Sequence, residues 1–541
     1  MRAKHKTVYQ PVAMPQSNVS VSSDGKYIYH IGKGYRNSKG QPASERTMIG
    51  KHDKSTGMLL PNDNYFAIYG VEAKQVPLVV DSIVNFGDFY LMDYIAKDTG
   101  LARVLRNVFG TGVGDEVLML AIYMALTGQP LYRCDAWCRE TLTGRDEVIT
   151  SQRCSRILEA LDEKKRMDFF RAWVHARQQH EYLAYDVTSI SSYARGNDLV
   201  EYGYNRDEDG LPQVNLGMYY GEESMLPIFY CTYKGSIVDK SHLHYMMQYN
   251  ERLGIDDVCF VMDRGFFSES NVQGLAFKHR FIIGLPNGLK LSKDIIAKHG
   301  EKVMSSRYDI GLTGVKGISV DDDRYGFRSK IHLFYTNDKI AGEERLLKEK
   351  LARWEGELHE GKTVKAAEDY FTIDVGAGKN TRVVARDYDA IDDKIRNLGY
   401  FLMMTTDFKK TPDEILNIYR KKDIIEKCFD ELKNGIDMKR LRVHSGVAVE
   451  GKTFIAFLGL ILKTYAHNIL RAHIDANRPM SMAQVFDELR MIKTVKTKNG
   501  MIMHNPITKK QRLILEQFGI SEDSIEAAMR DYSGVIPFFD T

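Results

Sequence analysis

The sequence predicts a mixed α/β chain: a mostly helical N-terminal region, then an α/β core split in two by a β-rich insertion. Three observations predict it. Residues 76–178 repeat apolar positions at helical spacing. From about 179 to 286, short β-type runs alternate with helical ones in the order βββαβαβ. Residues 287–402 are richer in β-type runs, and helical periodicity returns over 403–475.

At 541 residues the chain is too long for one compact core, and length alone points to three or four domains. Its 43% hydrophobic and 27% charged residues match an ordinary globular protein. The net charge of +3 does not itself announce a nucleic-acid partner, so local Lys/Arg-rich stretches carry more information. Six cysteines without a dense spacing pattern argue against a disulfide framework and fit a reducing cytosol. Cys134 and Cys138 lack the second pair that a structural zinc site needs. The basic start, Met1-Arg-Ala-Lys-His-Lys6, is not followed by an apolar run, so no secretory signal is read. The longest apolar run, Phe454 to Leu462, is about half a membrane span and reads as a buried helix.

Residues 1–75, rich in Gly, Ser, Tyr and turn pairs, form a small β-rich segment with runs such as Tyr27 to Ile31. In the helical region 76–178, Phe89 to Ile95 and Glu116 to Leu126 carry the helical period. Ser151 to Leu161 opens on a capping residue and carries Arg153 and Arg156. It reads either as the recognition helix of a DNA-binding helix-turn-helix or as a core helix with two solvated arginines. Arg166, Arg171 and Arg177 continue the basic character.

The first part of the core, 179–286, has strands at 181–189, 213–220 and 226–233, then a helix at 241–253. A strand at 258–262, a short helix from 268 and a strand at 281–285 complete it. In the insertion, β-type runs at 330–335, 370–375 and 382–385 accompany one charged amphipathic helix, 343–358. The core resumes at Tyr400 to Thr406 and continues through the Glu426 helix and the apolar helix after Lys452. Residues 476–541 form a C-terminal region for dimerisation or DNA contact, with a hairpin turning on Asn499-Gly500.

Two acids each close an apolar β-type run: Asp186 after Tyr182 to Tyr185, and Asp263 after Val258 to Met262. Singly they have ordinary readings, a strand-end acid beside a hydroxyl and the cap of a turn; Glu426 alone would be a solvated helical residue. Three converging carboxylates repel one another without a metal, which makes the set hard to justify as structure alone. Two Mg²⁺ about 3.5–4 Å apart can activate a nucleophile and stabilise the leaving oxygen of a phosphodiester. Such hard cations take oxygen ligands. Gly265 lets the chain turn directly after Asp263, and Arg264 is placed to meet a phosphate or an acid. Ile424, Ile425, Cys428, Phe429 and Leu432 form an apolar stripe with Glu426 beside it.

The spacing Tyr419-x2-Lys422-x3-Glu426-x6-Lys433 resembles the YREK signature of DDE transposases in the insertion-sequence-4 superfamily. Lys422 stands at the usual arginine position, which keeps the charge and loses bidentate phosphate geometry. Asp186-Val-Thr-Ser189, Met262-Asp-Arg-Gly-Phe266 and the insertion between the second Asp and the Glu follow the same pattern. The resemblance covers about residues 180–475. It implies a ribonuclease-H-like catalytic core whose first and fourth strands lie side by side, bringing Asp186 and Asp263 together. It also implies that Asp186, Asp263 and Glu426 are catalytic and bind Mg²⁺, as two ions with Mn²⁺ a substitute, and that Tyr419, Lys422 and Lys433 contact DNA. Arg264, Arg153 and Arg156 are further DNA-contact candidates from their placement. The implied activity is binding of terminal inverted repeats in double-stranded DNA, cleavage at the ends and strand transfer into target DNA. The implied setting is a homodimer in a synaptic complex in the bacterial cytoplasm, associated with the nucleoid and not with membrane. A nuclease of the same fold that does not join, or a non-catalytic DNA-binding derivative, are the alternatives; the presence of all three acids disfavours the last.

Relatives can seat a flipped base on an aromatic residue of the insertion. Trp354 lies in a charged helical run and reads as packing, with Tyr325 and Phe327 as other stacking candidates. Gly376-Ala-Gly-Lys-Asn380 fails as a phosphate-binding loop, since Ile373 and Asn380 stand where Gly and Ser/Thr are required. Arg440, Arg442 and His444 read equally as a DNA track or a solvated basic turn.

Overall fold

A computed structural model describes residues 9, 11–54, 56–70, 80–145, 147–177, 182–194, 197–256, 258–311, 313–338, 340–375, 382–443, 445–471, 480–497 and 502–534. His444, the Gly376–Asn380 stretch, Glu181 and the Asn499-Gly500 turn lie outside the described residues. The chain forms two compact units, each assembled from separate stretches.

One unit comprises Met1–Tyr94, Arg133–Thr150 and Ile469–Thr541. Its first four strands, Val19–Val21, Tyr27–Arg36, Pro42–Asp53 and Met58–Pro61, make an antiparallel meander around Ile28, Ile49 and Leu59. The C-terminal region is not a separate tail. Lys493–Thr497 pairs with Ile502–His504 on one side and with Val80–Asn85 on the other. Buried Asp88 accepts a 2.8 Å hydrogen bond from Arg490 and ties the same two regions again.

The other unit comprises Ile95–Tyr132 and Ser151–Asn468 and centres on an eight-stranded mixed sheet. Across the sheet the strands run Val315–Asp322, Ser329–Thr336, Tyr400–Thr405, Arg280–Leu285, Cys259–Met262, Tyr182–Ser191, Gln213–Gly221 and Pro227–Lys234. The Tyr182 and Arg280 strands flank the Cys259 strand in parallel, and the remaining pairs are antiparallel. Parallel neighbours need crossover connections, supplied by the helices Asp239–Leu253 and Glu269–Lys278. Gln213–Gly221 is buried along its whole length, as befits a strand covered on both faces.

The insertion is not a separate β-rich body. Ser329–Thr336 pairs with Tyr400–Thr405 from Lys330 opposite Thr405 to Tyr335 opposite Tyr400, so the first insertion hairpin widens the core sheet. Ile331, Leu333 and Phe334 are fully buried there, and a free-standing hairpin would leave them wet. What stands apart is the twenty-residue helix Ile340–His359, the hairpin Phe371–Val375 with Arg382–Arg386, and the helix Tyr388–Arg396. Leu347, Leu351, Leu358, Phe371 and Ile391 give these their own core. Trp354 stacks on Tyr370 at 6.1 Å in that cluster, as the packing reading expects.

Helices expected in an independent DNA-binding domain also belong partly to this unit. Helix Glu163–Arg177 buries Phe169, Phe170 and Trp173. Phe170 meets Phe229 at 4.9 Å and Phe457 at 5.5 Å, and the Trp173 indole donates to Pro227 O at 3.0 Å. These large rings bind the helix to the sheet edge and to the helix Gly446–Arg471, whose Phe454–Leu462 stretch is buried. Among the described residues no helix is long and apolar enough to cross a membrane.

Candidate active site

The site grows from one register. Tyr182–Tyr185 pair in parallel with Cys259–Met262, so the next residues, Asp186 and Asp263, leave the paired stretch together. Asp263 does end its strand: it caps the turn Arg264–Phe266, and its Oδ1 accepts the Arg264 N–H at 2.7 Å. Asp186 does not. Its strand runs on to Ser191 because the antiparallel partner continues past it, with Asp186 opposite Met218.

The third acid arrives from a broken helix. Thr411 caps Pro412–Lys421 through a reciprocal box with Glu414, with Pro412 in the first turn. Ile415, Leu416 and Ile418 press this helix on the sheet core beside Val261 and Ile282. A second helix, Asp423–Asp430, starts after Lys422 and carries Glu426 in its first turn. The four signature positions therefore span a break rather than one continuous helix. Ile425, Cys428 and Phe429 are buried while Glu426 is exposed beside them.

Asp186, Asp263 and Glu426 line one cleft of about 380 Å³, with Val187, Thr188, Gly265, Phe266, Phe429, Arg206 and Asp239. Arg206 and Asp239 form an ion pair, and the Tyr233 hydroxyl donates to Asp239 at 2.7 Å. Neither had been singled out in the sequence. No motif surrounds them, although Asp239 opens a helix, where acids are favoured.

Burial pushes the Asp186 carboxyl up to about 6. The Lys422 ammonium, the Val187 N–H and Arg206 oppose that rise, and the Asp263 charge adds to it. Lys422 is itself buried, with its ammonium 5.8 Å from the centre of the Tyr419 ring. The Tyr419 hydroxyl donates to Asp263 Oδ1 at 2.9 Å, and burial followed by the Asp263 charge raises its pKa. Gly284 makes room for this contact: a Cβ there would lie 3.0 Å from the Tyr419 hydroxyl.

The other basic candidates divide. Arg264 is exposed and lies in sequence between Asp263 and Gly265 of the cleft lining. Lys433 is paired with Asp207 at 2.8 Å, with both side chains mostly covered. Arg156 is exposed, but Arg153 is turned to Glu116 at 3.0 Å and joins its helix to Thr111–Thr127. Arg166 bonds Leu161 O and Glu450, Arg171 bonds Arg252 O, and Arg177 bonds Thr99 O. Arg440 is paired with Asp209 and Arg442 with Asp437.

Among the described residues no three His, Cys, Asp or Glu side chains gather into a ready coordination shell. The cleft instead has carboxylates spaced along its wall. That donor chemistry fits Mg²⁺, which is commonly held by one or two carboxylates plus water and substrate phosphate.

Residues 177–462 match the family model described as a transposase DDE domain. The chain belongs to the transposase DDE domain family. All three acids and the whole eight-stranded sheet fall inside the matched residues. A search of curated proteins finds no match to this transposase. A solved piggyBac transposase synaptic complex with hairpin DNA is 10% identical, covering 84% of this chain and 77% of that one. Its TM-score is 0.34.

Proposed function

We propose that this transposase binds the terminal inverted repeats of its element, cleaves the DNA at those ends and joins them to target DNA. Asp186, Asp263 and Glu426 are its catalytic carboxylates, set on a ribonuclease-H-like core of the insertion-sequence-4, YREK type. One observation supports the reading above others: two adjacent strands and a separate helix bring three acids to a single cleft. Divalent cations, Mg²⁺ or Mn²⁺ as a pair, would be held by these three and supply nucleophile activation and leaving-group stabilisation.

The chain's own groups do the rest. Tyr419 orients Asp263 by its hydrogen bond, leaving the second carboxylate oxygen to the cleft. Lys422 lies in the field of Asp186 and favours its ionised form, a positioning role in place of the bidentate contact an arginine would make. Arg264, exposed next to Asp263, is placed for a DNA phosphate, and exposed Arg156 is a more distant candidate. Lys433 reaches a phosphate only after leaving Asp207. The working assembly in this reading is a homodimer holding two DNA ends.

The test incubates the purified protein and Mg²⁺ with DNA carrying the terminal repeats of the encoding element. Joined products are expected, and Asp186→Ala, Asp263→Ala and Glu426→Ala each abolish cutting and joining. Cleavage without joined product would move the protein to a nuclease of the same fold. Wild-type activity in the three variants would refute the site.

A further inference from the structure

Between the Asp186 strand and its antiparallel neighbour the chain makes a long excursion from Ser192 to Pro212. Its described part is anchored at many points. The Asn205 side chain donates to Ser191 Oγ at 3.2 Å, Asp209 Oδ1 at 2.8 Å and Leu211 O at 3.1 Å. The Arg206 N–H meets Ser189 Oγ at 3.0 Å, and Gln213 Nε2 holds Tyr204 O at 2.9 Å. Lys433 and Arg440 clamp Asp207 and Asp209.

This fixed support displays three aromatic rings to water. Tyr193 is 60%, Tyr202 74% and Tyr204 80% exposed. One exposed tyrosine needs no explanation; three on one braced segment call for one. Cations stand over two of them, Arg440 5.5 Å from the Tyr193 ring and Arg206 6.0 Å from that of Tyr204. Arg206 also lines the acid cleft. Through Arg206 the Tyr204 ring stands next to the cleft. Aromatic faces interleaved with arginine are what unpaired bases stack on.

We propose that Tyr193, Tyr202 and Tyr204 form a stacking platform for unpaired DNA bases beside the cleft, with Arg206 and Arg440 meeting the adjoining backbone. The proposal rests on the DNA-processing reading above and adds a binding site to it. Single-stranded character is expected there because cut or opened DNA ends expose bases that intact duplex keeps stacked.

The experiment measures anisotropy of the full-length protein, in EDTA to prevent cutting, with two fluorescein-labelled probes. One is a duplex with a single-stranded thymidine tail, the other the same duplex made blunt. Tyr202→Ala and Tyr204→Ala are each expected to weaken tailed-duplex binding about tenfold and to change blunt-duplex binding less than about twofold. Tyr204→Phe, which keeps the ring, restores tailed binding. Equal losses on both probes, or no loss on either, overturn the platform. So does a fall in sedimentation mass without loss of tailed binding, which would make the rings a protein interface. If the wild type binds the tailed probe through these tyrosines but never cuts its element's ends, the functional reading fails and the platform stands. Binding to neither probe removes both.

Discussion

Asp186→Asn separates what the site costs the fold from what it does for the reaction. The Asp186 carboxyl is held at about 6 against a reference of 3.8, chiefly by burial. At roughly 1.4 kcal/mol per pKa unit, the ionised carboxylate destabilises the folded state by about 3 kcal/mol. The folded chain binds more protons than the unfolded one between about pH 4 and 6. Stability from this group is therefore lost as pH rises through that window. Asparagine keeps the size and the oxygen that accepts the Val187 N–H at 2.8 Å, but carries no charge. In EDTA at pH 7.5 the variant should be more stable than wild type by up to about 3 kcal/mol, and the gap should close toward pH 4. Urea unfolding monitored by tryptophan fluorescence at both pH values measures it. Added Mg²⁺ should raise wild-type stability and leave the variant nearly unmoved, while activity is lost. An Asp186→Asn protein no more stable than wild type at pH 7.5 would refute the electrostatic account of the cleft.

Three further outcomes follow from packing and burial. Gly284→Ala puts a methyl 3.0 Å from both the Tyr419 hydroxyl and the Arg264 nitrogen, so these must shift by a few tenths of an ångström, which strains the Tyr419–Asp263 bond. A loss of about 1–3 kcal/mol in stability and about tenfold in cleavage rate is expected by denaturant titration and single-turnover assay. Arg153→Ala removes the cation that meets Glu116, whose side chain is only 10% exposed. It should cost about 1–3 kcal/mol while changing duplex affinity less than about twofold; a large affinity loss with unchanged stability would return Arg153 to the DNA surface. Burial holds His242 and His332 down to about 4, so the unfolded chain takes up their protons first and stability falls as pH drops from about 6.5 to 4. His332→Leu should flatten that decline in a pH series of urea midpoints.

How much of this could be read from residues alone depended on how local each signal was. Asp186 and Asp263 were legible because each interrupts a run of apolar β-formers, and the Glu426 stripe because Ile425, Cys428 and Phe429 fall at helical spacing. The extension of the Asp186 strand to Ser191 was not, since it depends on a partner thirty residues on that keeps pairing past the acid. The insertion misled for the same reason: nothing local in Ser329–Thr336 shows that it pairs with Tyr400–Thr405. The basic helices read equally as DNA surface or as solvated core helices, because charge is visible in sequence and its partner is not. Glu116 for Arg153, Asp207 for Lys433 and Glu450 for Arg166 all come from distant segments. Arg206 and Asp239 escaped notice because only the folded sheet edge brings them to the acids.

The Thr336 N–H reaches Gly399 O at 3.0 Å, closing the chain across everything between them. The portable piece of this protein is therefore the stretch from 337 to 398, with its own apolar centre, and not the whole of 287–402. Swapping modules between relatives at the wider boundaries would strip two strands and half of a third from the sheet, whereas replacing 337–398 by a short turn bridges a gap the backbone already spans. Variation in length among kindred enzymes should therefore accumulate inside that hydrogen-bonded neck.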